Sequence, residues 1–173
     1  MIPEQTIAFR VYKNATSLLG VATVEMPQIE YMTETINGSG IAGEYESPTN
    51  GMTGSMTIKF SWISQTKDFY DLLDQAQGNL LELRASIQRA DETTSVRSTQ
   101  ALRISLLATT KSSPLGSLET GKKQGNETEM EVTRILIELD GEEKLLVDKL
   151  NFIHRINGVD SLVGVRSDLG MDF

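Results

Sequence analysis

The run MTIKFSWI, Met56 to Ile63, decides the reading of this chain. Met56, Ile58, Phe60 and Trp62 alternate with Thr57, Lys59 and Ser61. A period of two puts one row of side chains on each face of a strand, so the apolar row faces a core and the polar row faces away. Leu81, Leu83, Ala85 and Ile87 alternate in the same way with Glu82, Arg84, Ser86 and Gln88. Weaker strand patterns cover 6–13, 19–26, 28–36, 99–109, 127–139 and 144–153. One segment has the helical period instead: Phe69, Leu72, Leu73 and Ala76 fall at i, i+3, i+4 and i+7, opposite Asp68, Asp71 and Asp74. That predicts a helix over Thr66–Gln77, stopped by Gly78. The expected fold is mainly β, a β-sandwich or barrel of about seven or eight strands with this one flanking α-helix and a short C-terminal amphipathic segment.

A length of 173 residues fits a single domain spanning 1–173. The chain has 39% hydrophobic and 23% charged residues, values of a globular protein. A net charge of −8 argues against a phosphate-binding surface, which needs clustered Lys and Arg. There is no cysteine, so disulfides, thiolate nucleophiles and Cys-ligated zinc are excluded. The N-terminal sequence lacks a basic stretch followed by an apolar one, and no 18-residue apolar run occurs. The expectation is a soluble, cytoplasmically made protein that does not insert directly into a membrane.

Two linking segments are long for so compact a β domain. Residues 37–55 hold five glycines and Pro48, and residues 111–126 are similarly rich in turn formers. Structureless loops of this length are uncommon inside compact domains, so the first is expected to order against another subunit.

No chemical motif stands out. The only histidine, His154, has no triad or metal partner at motif spacing and reads as structural. Glu142 and Glu143 follow the turn Asp140-Gly141 and read as solvated turn charges. No Gly-rich phosphate-binding motif occurs in strand-to-helix context, and Trp62 reads as core. No catalytic residue, metal ligand or cofactor is assigned. A monomeric ligand-binding β-barrel would need convergent aromatics, and the aromatic content is 6%. The charge distribution is less ordinary. No basic residue lies between Lys13 and Lys59, whereas Glu25, Glu30, Glu34, Glu44 and Glu46 fall in that interval. A strand over 28–36 would put Gln28, Glu30 and Glu34 on one face and Ile29 and Tyr31 on the other.

The segment LNFIHRINGVDSLVGVRSDLGM, 150–171, resembles the closing segment of the major tail tube proteins of contractile-tailed phages and R-type pyocins. Those chains commonly end in an Asn-Gly-Val-Asp turn and an amphipathic run that finishes at glycine and an apolar residue. The matching positions here are Asn157, Gly158, Val159 and Asp160, then Leu162, Arg166, Leu169, Gly170 and Met171. The opening MIP, the MPQIEYMTE segment with Pro27 and Glu34, the GSGIAG turn, the lone helix, and Gly125 to Glu129 occur in the family's order. Members often carry lysine just after the position of Pro27 and aromatics near Ile135, which this chain does not.

The resemblance implies six-subunit rings that stack into a hollow tube inside a contractile sheath, in a virion or tailocin. The implied partners are further copies of the chain, the sheath, and baseplate and terminator proteins, with DNA only as transiting cargo. Glu25, Gln28, Glu30 and Glu34 become candidates for the lumen wall. Gly38, Gly40, Ile41, Gly43, Tyr45, Pro48 and Met52 become candidates for an inter-subunit loop. Asn157 to Asp160, Leu162, Arg166, Leu169 and Met171 become candidates for packing the terminus on the subunit or its neighbour. The hexameric tube of type VI secretion is the alternative within the same architecture.

Overall fold

The computed structural model describes residues 1–18 and 20–171. The opening stretch forms strand β6 (Thr57–Trp62), where Ile58, Phe60 and Trp62 are buried together with Met56, and Thr57, Lys59 and Ser61 face out. Strand β9 (Glu127–Leu139) pairs with β6 along its first part and buries Met130 and Val132 beside it. On the other edge of β9 lie β8 (Arg97–Ser112), β7 (Asn79–Ala90) and β1 (Ile2–Lys13), all antiparallel. Short β2 (Thr16–Ser17) pairs only with the end of β1, and β3 (Val21–Glu25) covers β6. Leu19, the first residue of the strand expected over 19–26, lies outside the described residues.

The sheet forks along β9. Its first half carries β6, whereas its second half carries β10 (Glu142–Asp148), followed by β11 (Ile153–Ile156) and β12 (Val159–Asp160). The fork coincides with a register shift: Ala108 faces Val132 and Leu107 faces Arg134, which leaves Thr133 extra. A bulge sharpens strand twist, and here it lets the two branches diverge. The Thr133 hydroxyl donates to the Leu107 carbonyl at 3.3 Å, so the irregularity is hydrogen-bonded. The expectation of one strand over 144–153 is corrected to β10 and β11, joined by a turn in which Asp148 accepts from the Leu150 and Asn151 N–H groups.

The helix is also shorter than its periodicity suggests. Helix α1 spans Lys67–Asp71, capped by the Thr66 hydroxyl, which accepts from Phe69 N–H at 3.2 Å. Phe69 and Leu72 reach the core as expected, with Phe69 edge-on to Trp62. The carbonyls that would extend the helix toward Gln77 have other donors. Lys13 Nζ donates to the Asp71 carbonyl, and the buried Thr110 hydroxyl donates to that of Leu72. Asp74 then accepts from Ala76 N–H in a local turn. Gly78 is therefore not the helix stop.

Residues 37–55 are not a structureless loop. They supply most of a second, two-stranded sheet, β4 (Tyr31–Asn37) against β5 (Glu44–Thr53). The glycines concentrate at the tip, where Gly38, Gly40 and Gly43 have positive φ, while Ile36 faces Tyr45 and Thr35 faces Glu46. Pro48 is tolerated because a two-stranded sheet needs donors on only one side. The second segment agrees better with expectation: β8 ends at Ser112, and the chain from there to Glu127 is turn and coil.

Candidate assembly surfaces

The chain end is held by its own hairpin. Asn157 and Gly158 have φ of +50° and +83° and form the two-residue turn between β11 and β12, a geometry that Asn-Gly adopts readily. Asp160 then organises the closing segment. Its Oδ1 accepts from Leu162 N–H at 2.9 Å, and its Oδ2 accepts from Arg166 at 2.7 Å, with only 8% and 11% of the two side chains exposed. Arg166 lies in α2 (Val163–Asp168) and also donates to the Phe152 carbonyl. Partial burial pushes the Asp160 carboxyl up, but the Leu162 N–H, Arg166 and the His154 N–H outweigh it and hold the group below its usual value.

Leu162 is buried against Gly51 of β5 so closely that a Cβ there would meet it at 2.6 Å. Asn50 donates to the Ser161 carbonyl, and Lys149 Nζ donates to that of Gly54 at 2.6 Å. His154 is 5% exposed and sits between Tyr31 Oη, 3.0 Å from Nε2, and Ser161 Oγ, 2.9 Å from Nδ1. The Ser161 hydroxyl also donates to the His154 carbonyl at 3.1 Å, so Tyr31, the imidazole and Ser161 form one continuous hydrogen-bonded chain. Of the C-terminal candidates, Asp160, Leu162 and Arg166 form this clasp. Asn157 and Gly158 make the turn, and Met171 N–H bonds the Arg166 carbonyl. Leu169 and Val159 are 56% and 73% exposed and take no part in the clasp.

Beyond its clasped base the β4–β5 hairpin is bare. Gly38, Gly40, Ile41, Gly43 and Tyr45 are exposed at or near its tip, Pro48 is exposed along β5, and Met52 lies half-buried at the base. Glu34, midway along β4, faces Ser47 of β5 and does not line the groove that the other acidic candidates share. Gln28 and Glu30 precede β4 rather than lying on it, so the single strand face expected for 28–34 does not form. The alternation still holds locally, since Ile29 packs on the core and Tyr31 reaches His154. Glu25, Gln28 and Glu30 converge instead on a groove of about 400 Å³ with Ser55, Thr57, Lys59 and Glu129. Glu127, 3.0 Å away, holds the Lys59 ammonium above its usual value, with Glu25 and Glu129 adding to the effect.

A further surface carries no sequence motif. Among the described residues the outer edge of β1 is paired at Tyr12 and Lys13, and the Val11 carbonyl accepts from Leu18 N–H at 2.8 Å, while the backbone from Ile2 to Phe9 has no partner strand on that side. Val11 is buried, yet Phe9 on the same side is 37% exposed and Ile7, at a register shift between Thr6 and Ala8, is 53% exposed, because the sheet runs on past its core. Its one signal in the sequence is the length of the apolar-alternating N-terminal run.

Among the described residues no group of three His, Cys, Asp or Glu is arranged to hold a metal, and no helix is long and apolar enough to cross a membrane. Glu142 and Glu143 pair with Lys144 and Arg155 at a turn, and Trp62 donates to Thr128 inside the core. The fold is thus an open-edged β body from which the two-stranded β4–β5 sheet projects as an arm. The chain belongs to the phage tail tube protein FII family, which matches residues 3–170. It is 25% identical over 181 aligned positions to the tail tube protein of Escherichia phage P2, covering 98% of this chain and 99% of that protein. Its fold is similar to that of a chain in the sheath/tube terminator of the extracellular contractile injection system PVC, with a TM-score of 0.52 at 15% identity over 80% of this chain and 98% of that one. It is also similar to a chain in the tube-terminating cap of the anti-feeding prophage, with a TM-score of 0.51 at 16% identity over 80% and 91%. The chain is thus a phage tail tube protein, a structural component of the tail and not an enzyme.

Proposed function

We propose that six copies of this chain close into a ring and that rings stack into the hollow inner tube, which serves as conduit for DNA or ions and as the shaft driven outward on contraction. The observation that carries this reading is the open edge of β1 with its uncovered Ile7 and Phe9. A long unprotected edge templates pairing with another strand. A head-to-tail contact between unlike surfaces closes laterally and propagates axially. The bare hairpin supports the same reading, because a two-stranded sheet is marginal alone in water and gains from being covered by a neighbour. The whole chain, 1–173, acts as one tube unit.

In this reading Glu25, Gln28 and Glu30 face the lumen as a repeated acidic band that repels phosphate. Glu34 belongs to the hairpin contact. The sheath encloses the tube, and a baseplate and a terminator bound its ends, as the sheath/tube terminator of the similar particle suggests. Light scattering and mass photometry on the purified chain test the assembly. Growth into ring multiples and then filaments with rising concentration supports it, and a strictly monomeric species from micromolar to near-millimolar protein refutes it.

A further inference from the structure

The strand register sets three arginines in one line. Arg10 of β1 lies directly opposite Arg84 of β7, and Arg84 directly opposite Arg103 of β8. All three project from the face opposite the core, since their strand neighbours Val11, Leu83 and Ile104 are buried. Adjacent strands are about 4.8 Å apart, so the row spans roughly 10 Å. Like charges directly opposite each other destabilise a sheet. The subunit offsets this only in part. Glu82 pairs with Arg84 and, at 3.0 Å, with Arg103; Glu138 is 3.8 Å from Arg103; and Arg84 lies over the Tyr12 ring at 5.3 Å. Arg10 makes no side-chain hydrogen bond or ion pair among the described residues.

The complementary charge is on the same molecule and is not paired with this row within the subunit. Glu44 and Glu46 stand two residues apart on one face of β5, about 7 Å from each other, opposite Asn37 and Thr35. Neither makes a hydrogen bond or ion pair among the described residues, both are exposed, and the hairpin carries no basic residue. We propose that the Arg10–Arg84–Arg103 row of one copy receives Glu44 and Glu46 from the hairpin of a second copy. This rests on the assembly reading and names the contact within it. Donor and acceptor are different surfaces, so the contact repeats from copy to copy instead of closing a dimer. Opposed charges at such a contact also set which register of neighbouring subunits is accepted.

The chain has no cysteine, so single introduced thiols report this contact without background. Ala8→Cys lies on the face and strand of Arg10, and Thr35→Cys lies beside Glu46; both leave the charges in place. Full-length chains carrying one each, mixed and assembled, are expected to give a heterodimer with a short bis-maleimide, and none when disassembled. Arg10→Glu, and separately Glu44→Arg with Glu46→Arg, should each raise the concentration needed for assembly at least about tenfold, and their combination should restore it to within about threefold. Thermal melts of each variant confirm the subunit fold. Tubes that form without the heterodimer, or that ignore both reversals, overturn the proposal. So do reversals that alter only retention of double-stranded DNA, which assign the row to the cargo. A parent chain that never assembles overturns the assembly reading and this contact together, a result distinct from tubes lacking the cross-link.

Discussion

Asp160→Asn removes one charge at the centre of the C-terminal clasp and changes almost no volume. Asn can still accept from Leu162 N–H, but its amide cannot accept from Arg166, now 2.7 Å from a carboxylate oxygen. A hydrogen bond to a charged group contributes about 1.5–3 kcal/mol. Leaving a charge buried without its partner costs about 3–5 kcal/mol. Arg166 keeps the Phe152 carbonyl at 2.8 Å and retains some exposure, so the lower range applies, about 2–3 kcal/mol. For a chain of this size that corresponds to a melting temperature lowered by roughly 5–10 °C if the clasp opens with the whole fold. If it opens separately, the loss appears as faster amide hydrogen exchange in 159–171 and, through Leu162 and Gly51, in the hairpin base. Calorimetry combined with exchange mass spectrometry reads both. A melting temperature within about 1 °C of the parent with unchanged exchange in both segments would refute the coupling.

The same carboxyl sets a pH dependence. Because Asp160 is held below its ordinary value of 3.8, the stability it contributes is fully present above that pH and is lost as pH falls through the depressed folded value. Exchange protection of 159–171 should therefore hold steady down to about pH 5 and decline below 3.8, and Asp160→Asn should lack that decline. Gly51→Ala places a Cβ 2.6 Å from Leu162 at a φ of +68° and should cost about 2–3 kcal/mol in denaturant melts. Paired with Leu162→Ala it should cost at least about 1 kcal/mol less than the sum of the two single changes, whereas strict additivity would show that the contact is not the cause. Replacing residues 34–47 by a two-residue turn joins Thr33 to Pro48, which face each other, and keeps Asn50 and Gly51, so the subunit should melt normally yet fail to form filaments; normal filaments from this variant would exclude the outer hairpin from assembly.

How much of the fold is legible in the sequence depends on the range of the forces involved. Period-two rows such as Met56–Trp62 and Leu81–Ile87 are local, and β6, β7 and the span of β9 match them closely. Periodicity overstates helix α1 because it says nothing of Lys13 and Thr110, distant donors that take its last carbonyls. The first strand of the 31–53 hairpin falls within the strand read over 28–36, but β5 reads as loop because the five glycines of 37–55 mask Tyr45 and its neighbours, and those glycines serve the tip and the contact with Leu162. The C-terminal block is recognisable by its letters, but that it closes on residues more than a hundred positions earlier is a tertiary fact. The arginine row leaves no trace in the sequence. Arg10, Arg84 and Arg103 become neighbours only once strand register is fixed.

Cryo-electron microscopy of filaments grown from the purified chain tests the central claim most directly. The account predicts a hollow tube of stacked six-subunit rings, with the outer edge of β1 paired to a neighbouring subunit and the 31–53 hairpin lying against another copy. A filament in which the β1 edge stays solvent-exposed, or concentrated protein that yields no filament, would contradict it.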